Sequence, residues 1–296
     1  MPVPSFIAYL KLEKNYSKHT LGAYERDIEQ FAEFCEQNFE VQSIDDVDYS
    51  LIRSWIVSLV DKGVANRSIN RKISSLRAYY KFLQKIGEIQ KSPLAKHRAL
   101  KTEKKVEIPF SEMEMEKVLS SIPFEDNFEG CRDKLIIELL YATGLRRTEL
   151  VNLKLNDVDA ENKSMKVLGK RNKERILPLL PSTLDLIAEY KSHRSKIENG
   201  ADSPFLFLTK DGLKIYETLV YRIINKYFSL VSPKVKKSPH ILRHTFATHM
   251  LNRGADLNSV KELLGHASLA STQVYTHNSI AELKKVHLKA HPRNKK

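Results

Sequence analysis

Apolar side chains in the first third of this 296-residue chain recur every three or four positions, the period that buries one side of an α-helix. Ser17 stands at a helix-cap position ahead of Leu21, Tyr24, Ile28, Phe31 and Phe34, which make one such stripe. Ile69, Ile73, Leu76, Tyr80 and Leu83 make another. Gly63 and Gly87 follow helical runs, where a residue free to adopt positive φ ends a helix. The helical pattern returns after residue 110 with one interruption. Segments 165–168 and 175–179 read as two short strands around Gly169-Lys170-Arg171-Asn172-Lys173-Glu174, a hairpin with a very basic tip. Ten glycines and few β-rich stretches leave a mainly α fold with a small β-sheet (α+β), and no internal repeat is visible.

The length exceeds what one core usually supports, so two domains are expected. Residues 1–88 read as a helical domain. From 89 to 110 periodicity is lost while Pro93, Pro109 and six basic residues appear against Glu103 and Glu107, which reads as a basic linker. Residues 111–296 form the second domain. Within it Ser279-Ile280-Ala281-Glu282 fits a capping box for a last helix through about Lys289. That helix's Ile280, Leu283 and Val286 need a surface, on the same chain or on a neighbour. No apolar run approaches the roughly 18 to 20 residues that span a bilayer. The start, Met-Pro-Val-Pro-Ser-Phe, lacks the features of a secretory signal, so a cytoplasmic, membrane-free protein is expected. Cys35 and Cys131 match no metal spacing and read as free thiols.

Charge narrows the partner. Lys plus Arg number 49 against 36 Asp plus Glu, a net charge of +13 that favours a polyanion. The first domain is close to neutral but polarised: residues 25–48 hold nine acidic side chains and one basic, whereas residues 62–85 hold seven basic and no acidic. On the helix within that basic run, Arg67, Arg71, Arg77 and Lys81 point away from the apolar stripe. They are the candidate contacts to a duplex groove or backbone.

The second domain carries the chemistry. Pro239-His240-Ile241-Leu242-Arg243-His244 and Gly265-His266, with Tyr275 nine positions further on, supply a guanidinium, imidazoles and a phenol. Thr143-Gly144-Leu145-Arg146 and Gly169-Lys170 add a second guanidinium and an amine. Attack on a phosphodiester builds negative charge on its equatorial oxygens, so catalysis needs fixed positive charge and managed protons. Arg146 and Arg243 suit the first task, since a planar guanidinium grips two oxygens and keeps its charge. Tyr275 is a candidate nucleophile whose phenol, with a pKa of about 10, is activated by surrounding cations. The resulting phosphotyrosine conserves the bond energy, so rejoining needs neither ATP nor metal and no cofactor is expected. Lys170 is the candidate general acid for the departing hydroxyl, His240 could accept or relay the tyrosine proton, and His266 could donate to a phosphate oxygen. His240, His244 and His249 have metal-like spacing, but no carboxylate or thiolate lies in that segment and Arg243 among them opposes a cation.

Taken in order, Tyr141-Ala142-Thr143-Gly144-Leu145-Arg146, Gly169-Lys170, His240-Ile241-Leu242-Arg243-His244, Leu263-Leu264-Gly265-His266 and Val274-Tyr275-Thr276-His277 resemble the tyrosine recombinase (phage integrase) family. Length and the opening Tyr16-Ser17-Lys18-His19-Thr20 are most similar to the bacterial Xer recombinases. The resemblance spans nearly the whole chain. It implies a helical core-binding (SAM-like) domain and a catalytic domain forming a two-domain DNA clamp. It assigns Tyr275 as nucleophile, Arg146 and Arg243 to the scissile phosphate, Lys170 to the leaving 5′-hydroxyl, and His240 and His266 to the phosphate and its protons. Its expected partner is double-stranded DNA with an inverted-repeat recombination site, bound by a tetramer that exchanges strands through a Holliday junction. A C-terminal exchange helix, a sister recombinase and a septal DNA translocase belong to the same expectation. The role it implies is conversion of chromosome dimers to monomers for partition at cell division, with the integrase of a mobile genetic element as the alternative. A type IB topoisomerase and a binding-only DNA protein stand further off. The hairpin departs from the family in reading Gly-Lys-Arg-Asn-Lys where a second glycine is common.

Overall fold

The computed structural model describes residues 2–103, 107–169, 174–198, 200, 202–234, 236–265 and 277–294, with only the backbone described for 277–280. The chain divides into two compact units at residue 105.

Among its described residues the first unit has four helices: α1 (Val3–Leu12), α2 (Lys18–Phe39), α3 (Tyr49–Asp61) and α4 (Asn66–Lys85). Ser17 caps α2 by accepting from the Thr20 amide, at the position the sequence marks. Both apolar stripes face one core. Phe31 and Ile52 are fully buried there beside Ile69, Leu76 and Leu83 of α4. One charge is buried with them. Asp27 of α2 accepts from Arg71 at 2.5 and 2.8 Å, Lys72 at 3.2 Å and Ser75 at 2.7 Å, all on α4. The acidic and basic runs of the sequence therefore meet at this point, because a buried carboxylate is tolerated only when its lone pairs are filled.

The first unit extends past residue 88, further than the sequence suggested. Leu94 is buried in its core and Leu100 packs against it. Asn70 of α4 exchanges hydrogen bonds with the backbone of Leu100 at 2.9 Å in both directions, and Asn66 donates to the Lys101 carbonyl at 2.8 Å. The segment read as a linker is thus held to α4 over much of its length. Its apolar residues are spaced too irregularly to show a period, yet Ile89, Leu94 and Leu100 pack in or against this core.

The second unit begins with Phe110 fully buried. It continues through α5 (Glu112–Glu116), which runs into a π turn at Lys117–Ser121, then α6 (Phe128–Thr143) and α7 (Arg147–Asn152). A three-stranded antiparallel sheet follows in the order β1 (Val158–Asp159), β2 (Ser164–Leu168), β3 (Glu174–Pro178). The β2–β3 register pairs Leu168 with Glu174, so the hairpin lies within a residue of its sequence placement. Among the described residues five helices follow: α8 (Pro181–Arg194), α9 (Glu217–Ser229), α10 (Pro239–Asn252), α11 (Leu257–Leu264) and α12 (His277–Ala290). α6 is the central helix, buried on all sides and packed against α8 and α10. No helix among the described residues is long and apolar enough to cross a membrane.

α12 seats Leu283 and Val286 on the core of its own unit. Its polar contacts converge on the end of α6. His287 donates from Nε2 to the Ala142 carbonyl at 2.7 Å, and His291 reaches the Tyr141 carbonyl at 3.2 Å. The Tyr141 hydroxyl bonds Nδ1 of His249 on α10 at 2.9 Å, and Arg293 pairs with the buried Glu138 at 3.2 Å. Burial depresses all three imidazoles, His287 to about 4, His291 well below its ordinary value with the His287 charge adding, and His249 below it as well. They fold neutral. Between pH 6.5 and about 4 the unfolded chain therefore binds more protons than the folded one, and stability falls as pH falls. For His287 alone the loss approaches roughly 3 kcal/mol by pH 4, at about 1.4 kcal/mol per pH unit. The thermal midpoint is expected to drop steadily from pH 7 to 4.5. A His287→Asn variant should be less stable at neutral pH and should show a shallower decline, measured by scanning calorimetry.

Candidate active site

Gly144 ends α6 with φ at +63°, and a Cβ there would stand 2.5 Å from the Phe246 ring. Backbone and packing both require glycine, and the turn it makes sends the chain directly into Arg146. Arg146 is the N-cap of α7. Its amide donates to Glu149 Oε2 at 2.8 Å, so the start of α7 spends that donor on its own carboxylate. Nη1 of Arg146 donates to Glu149 Oε1 at 2.8 Å and Nη2 to the Gly265 carbonyl at 3.1 Å, leaving the side chain one-third exposed.

Arg243 arrives from α10, whose Ser238 cap and Pro239 fix the helix start. It is buried, and donates to the Gly144 carbonyl at 2.6 Å and the Leu264 carbonyl at 2.5 Å. Burial, then the charge of Arg146, pulls its pKa down to about 10, still protonated at neutral pH. The two arginines thus share one place, anchored on the turn after α6 and on adjoining carbonyls at the end of α11. Glu149 is buried beneath Arg146 and accepts two further bonds from Arg175 of β3, both at 2.8 Å. Burial alone would raise its carboxyl; Arg175, then Arg146, outweigh that and hold it below its ordinary value.

His240 lies one turn before Arg243 on α10. Its side chain is 73% exposed, with Nε2 at 3.4 Å from Glu107, whose carboxyl is held down chiefly by Lys236. His249 is turned into the core, so the spaced histidines of α10 do not converge on a common point. Lys170, His266 and Tyr275 lie outside the described residues. Arg175, the second residue of β3, and Gly265, immediately before His266 in the chain, are described.

Sequence reasoning missed Glu149 and Arg175. An acid three residues after Arg146, at the position where a helix start favours one, is a readable signal for the first. Nothing local marks Arg175, whose partners lie 26 and 88 residues away.

In the first unit Arg67, Arg71, Arg77 and Lys81 are all exposed. Arg71 is engaged with Asp27, and Arg77 donates to the His97 carbonyl at 3.3 Å. Arg67 and Lys81 have no side-chain partner among the described residues. The single group with metal-ligand geometry among the described residues is Cys131, Glu189 and His193 between α6 and α8. Burial, then Glu189, raises the Cys131 thiol to about 11, which keeps it protonated. That group is thirteen residues, about 20 Å, along α6 from Gly144.

The "Phage integrase family" model matches residues 110–282, and the "Phage integrase, N-terminal SAM-like domain" model matches residues 3–87. The chain belongs to the phage integrase family. Tyrosine recombinase XerC of Staphylococcus haemolyticus is 39% identical over 292 residues, covering 99% of this chain and 97% of the relative. XerC of Chlorobaculum parvum is 37% identical, covering 97% and 93%. The fold is that of XerH site-specific recombinase bound to palindromic difH substrate, with a TM-score of 0.69 at 21% identity over 97% of this chain and 84% of that one. It is likewise that of the Tn1549 transposon integrase in complex with transposon right end DNA, with a TM-score of 0.68 at 23% identity over 96% and 99%. As a phage integrase family member, the chain is a tyrosine recombinase that acts on DNA by breaking and rejoining it.

Proposed function

We propose that this tyrosine recombinase converts chromosome dimers to monomers for segregation at cell division, acting in the cytoplasm on an inverted-repeat DNA site. Tyr275 attacks the scissile phosphorus and forms a 3′-phosphotyrosyl bond while the P–O bond to the 5′-oxygen breaks. Lys170 protonates that oxygen, and Arg146 and Arg243 neutralise the charge growing on the equatorial oxygens. His240 and His266 handle the phosphate and the tyrosine proton. The 5′-hydroxyl of a partner strand then reverses the reaction and expels Tyr275, and two such rounds pass through a Holliday junction. The observation that carries the reading is the convergence of Arg146 and Arg243 on one helix end, Arg146 held by Glu149 and the Gly265 carbonyl and Arg243 by the Gly144 and Leu264 carbonyls. Fixed cations of this kind cost little reorganisation when charge develops.

On DNA four subunits assemble head to tail, each passing α12 to its neighbour, alone or alternating with a sister recombinase and under a septal DNA translocase. Likeness to XerC at 37–39% identity supports the chromosomal role over that of a mobile-element integrase.

Incubation with nicked duplexes from the source genome, without metal or ATP, tests the reading. The expected result is covalent capture concentrated on one inverted repeat near the replication terminus. Capture at the end of a mobile element would replace the chromosomal role. Capture across unrelated sequences would indicate a topoisomerase, and binding with no capture, even with a sister recombinase added, would overturn the enzyme assignment of these residues.

A further inference from the structure

The last three carbonyls at the end of α11 are each held by a different arginine. Arg175 of β3 donates from Nε to Leu263 at 3.0 Å, Arg243 of α10 donates to Leu264 at 2.5 Å, and Arg146 donates to Gly265 at 3.1 Å. A helix C-terminus carries partial negative charge and unsatisfied carbonyls, so three cations there are mutually tolerated. Gly265 has φ at +64°, and a Cβ on it would come within 3.2 Å of the Arg175 side chain. Arg175 is 5% exposed and its remaining nitrogens both go to Glu149.

We propose that Arg175 is a positioning residue for DNA cleavage, acting through Glu149 on Arg146. The inference rests on the reading of Arg146 and Arg243 as the phosphate-gripping pair. Glu149 orients Arg146, but a lone carboxylate would also neutralise it. Arg175 takes both oxygens of the same carboxylate in a planar fork and so compensates its charge while leaving its geometry in place. The formal charge of Arg146, Arg175, Arg243 and Glu149 together is 3 − 1 = +2. Removing Arg175 alone lowers it to +1 with Glu149 drawn wholly to Arg146. Removing the Glu149 charge as well restores +2. Arg175 also ties β3, and with it the base of the hairpin that carries Lys170, to the segment that leads into His266.

The test is single-turnover cleavage of a nicked duplex bearing the captured site, with half-site affinity and thermal midpoint measured on the same proteins. Arg175→Met is expected to lower the cleavage rate about 10²-fold, the usual cost of disturbing one preorganised electrostatic group, with affinity within about threefold. Arg175→Lys keeps the charge but loses the fork, and should lose about tenfold. Arg175→Met/Glu149→Gln should cleave at least tenfold faster than Arg175→Met, a gain that a structural role would not give. A double variant no faster than Arg175→Met, or an Arg175→Met protein as fast as the parent, would overturn the proposal. Should Arg175→Met not fold, the same pair is read on Arg175→Lys with and without Glu149→Gln, a missing gain again overturning it. Arg146→Ala is run alongside: parental cleavage by that variant would instead remove the site reading itself.

Discussion

A Tyr275→Phe variant is expected to bind its DNA site as the parent does and to form no covalent product with it, a loss limited only by detection. The substitution keeps the ring and removes one oxygen, the atom that would become bonded to phosphorus. Water is a poor substitute, because it lacks the prior positioning of an attacking group carried by the protein, and positioning of that kind is worth several orders of magnitude. The buried phenols of the unit are poorly suited to take over. Tyr141, Tyr190 and Tyr227 are buried, and burial raises each of them, Tyr190 to about 12. Tyr141 is in addition committed to His249. The check is denaturing electrophoresis of nicked, end-labelled duplex after incubation with parent or variant. A label retained on the variant protein would mean that another residue is the nucleophile, and sequencing the labelled peptide would identify it.

The parts of the molecule that sequence revealed are those specified by neighbours in the chain. The α2 and α4 stripes, the Ser17 cap and the hairpin register depend on residues within a turn or a strand of one another, and local periodicity expresses them directly. The convergence of Arg146 and Arg243 on the end of α11 was legible for a different reason: their residue types and order matched a family, while they lie 97 positions apart in the chain. What stayed hidden has no local signature. Arg71 looks identical in sequence to Arg67 until α2 brings Asp27 against it, so four similar cations divide into two engaged and two exposed without partners among the described residues. Residues 89–110 read as a linker because their few apolar side chains follow no period, yet Leu94 and Leu100 are matched to the first unit's core by tertiary packing that no propensity records. Arg175 belongs to the same class, since its role exists only where β3, α7 and α11 meet.

Glu149→Ala is expected to damage both the stability of the second unit and its cleavage chemistry. It removes four hydrogen bonds: one from the Arg146 amide, one from the Arg146 guanidinium and two from Arg175. It also leaves Arg175, 5% exposed, with a buried charge and no carboxylate among its described contacts. Breaking a buried ion pair from one side costs about 3–5 kcal/mol, because the remaining charge stays desolvated. The cluster charge rises to +3, and repulsion drives Arg146 away from the helix end where it meets Arg243. Cleavage should fall by about 10³-fold, more than for Arg175→Met, since both orientation and charge balance are lost together. Glu149→Gln should recover much of the stability but little of the rate: the amide can still accept from the Arg146 backbone while the counter-charge is gone. Chemical denaturation followed by circular dichroism, with single-turnover cleavage on the same preparations, separates the two effects. If Glu149→Gln cleaved as fast as the parent, the carboxylate would be needed for folding alone, and the charge balance among the three arginines would not govern the chemistry.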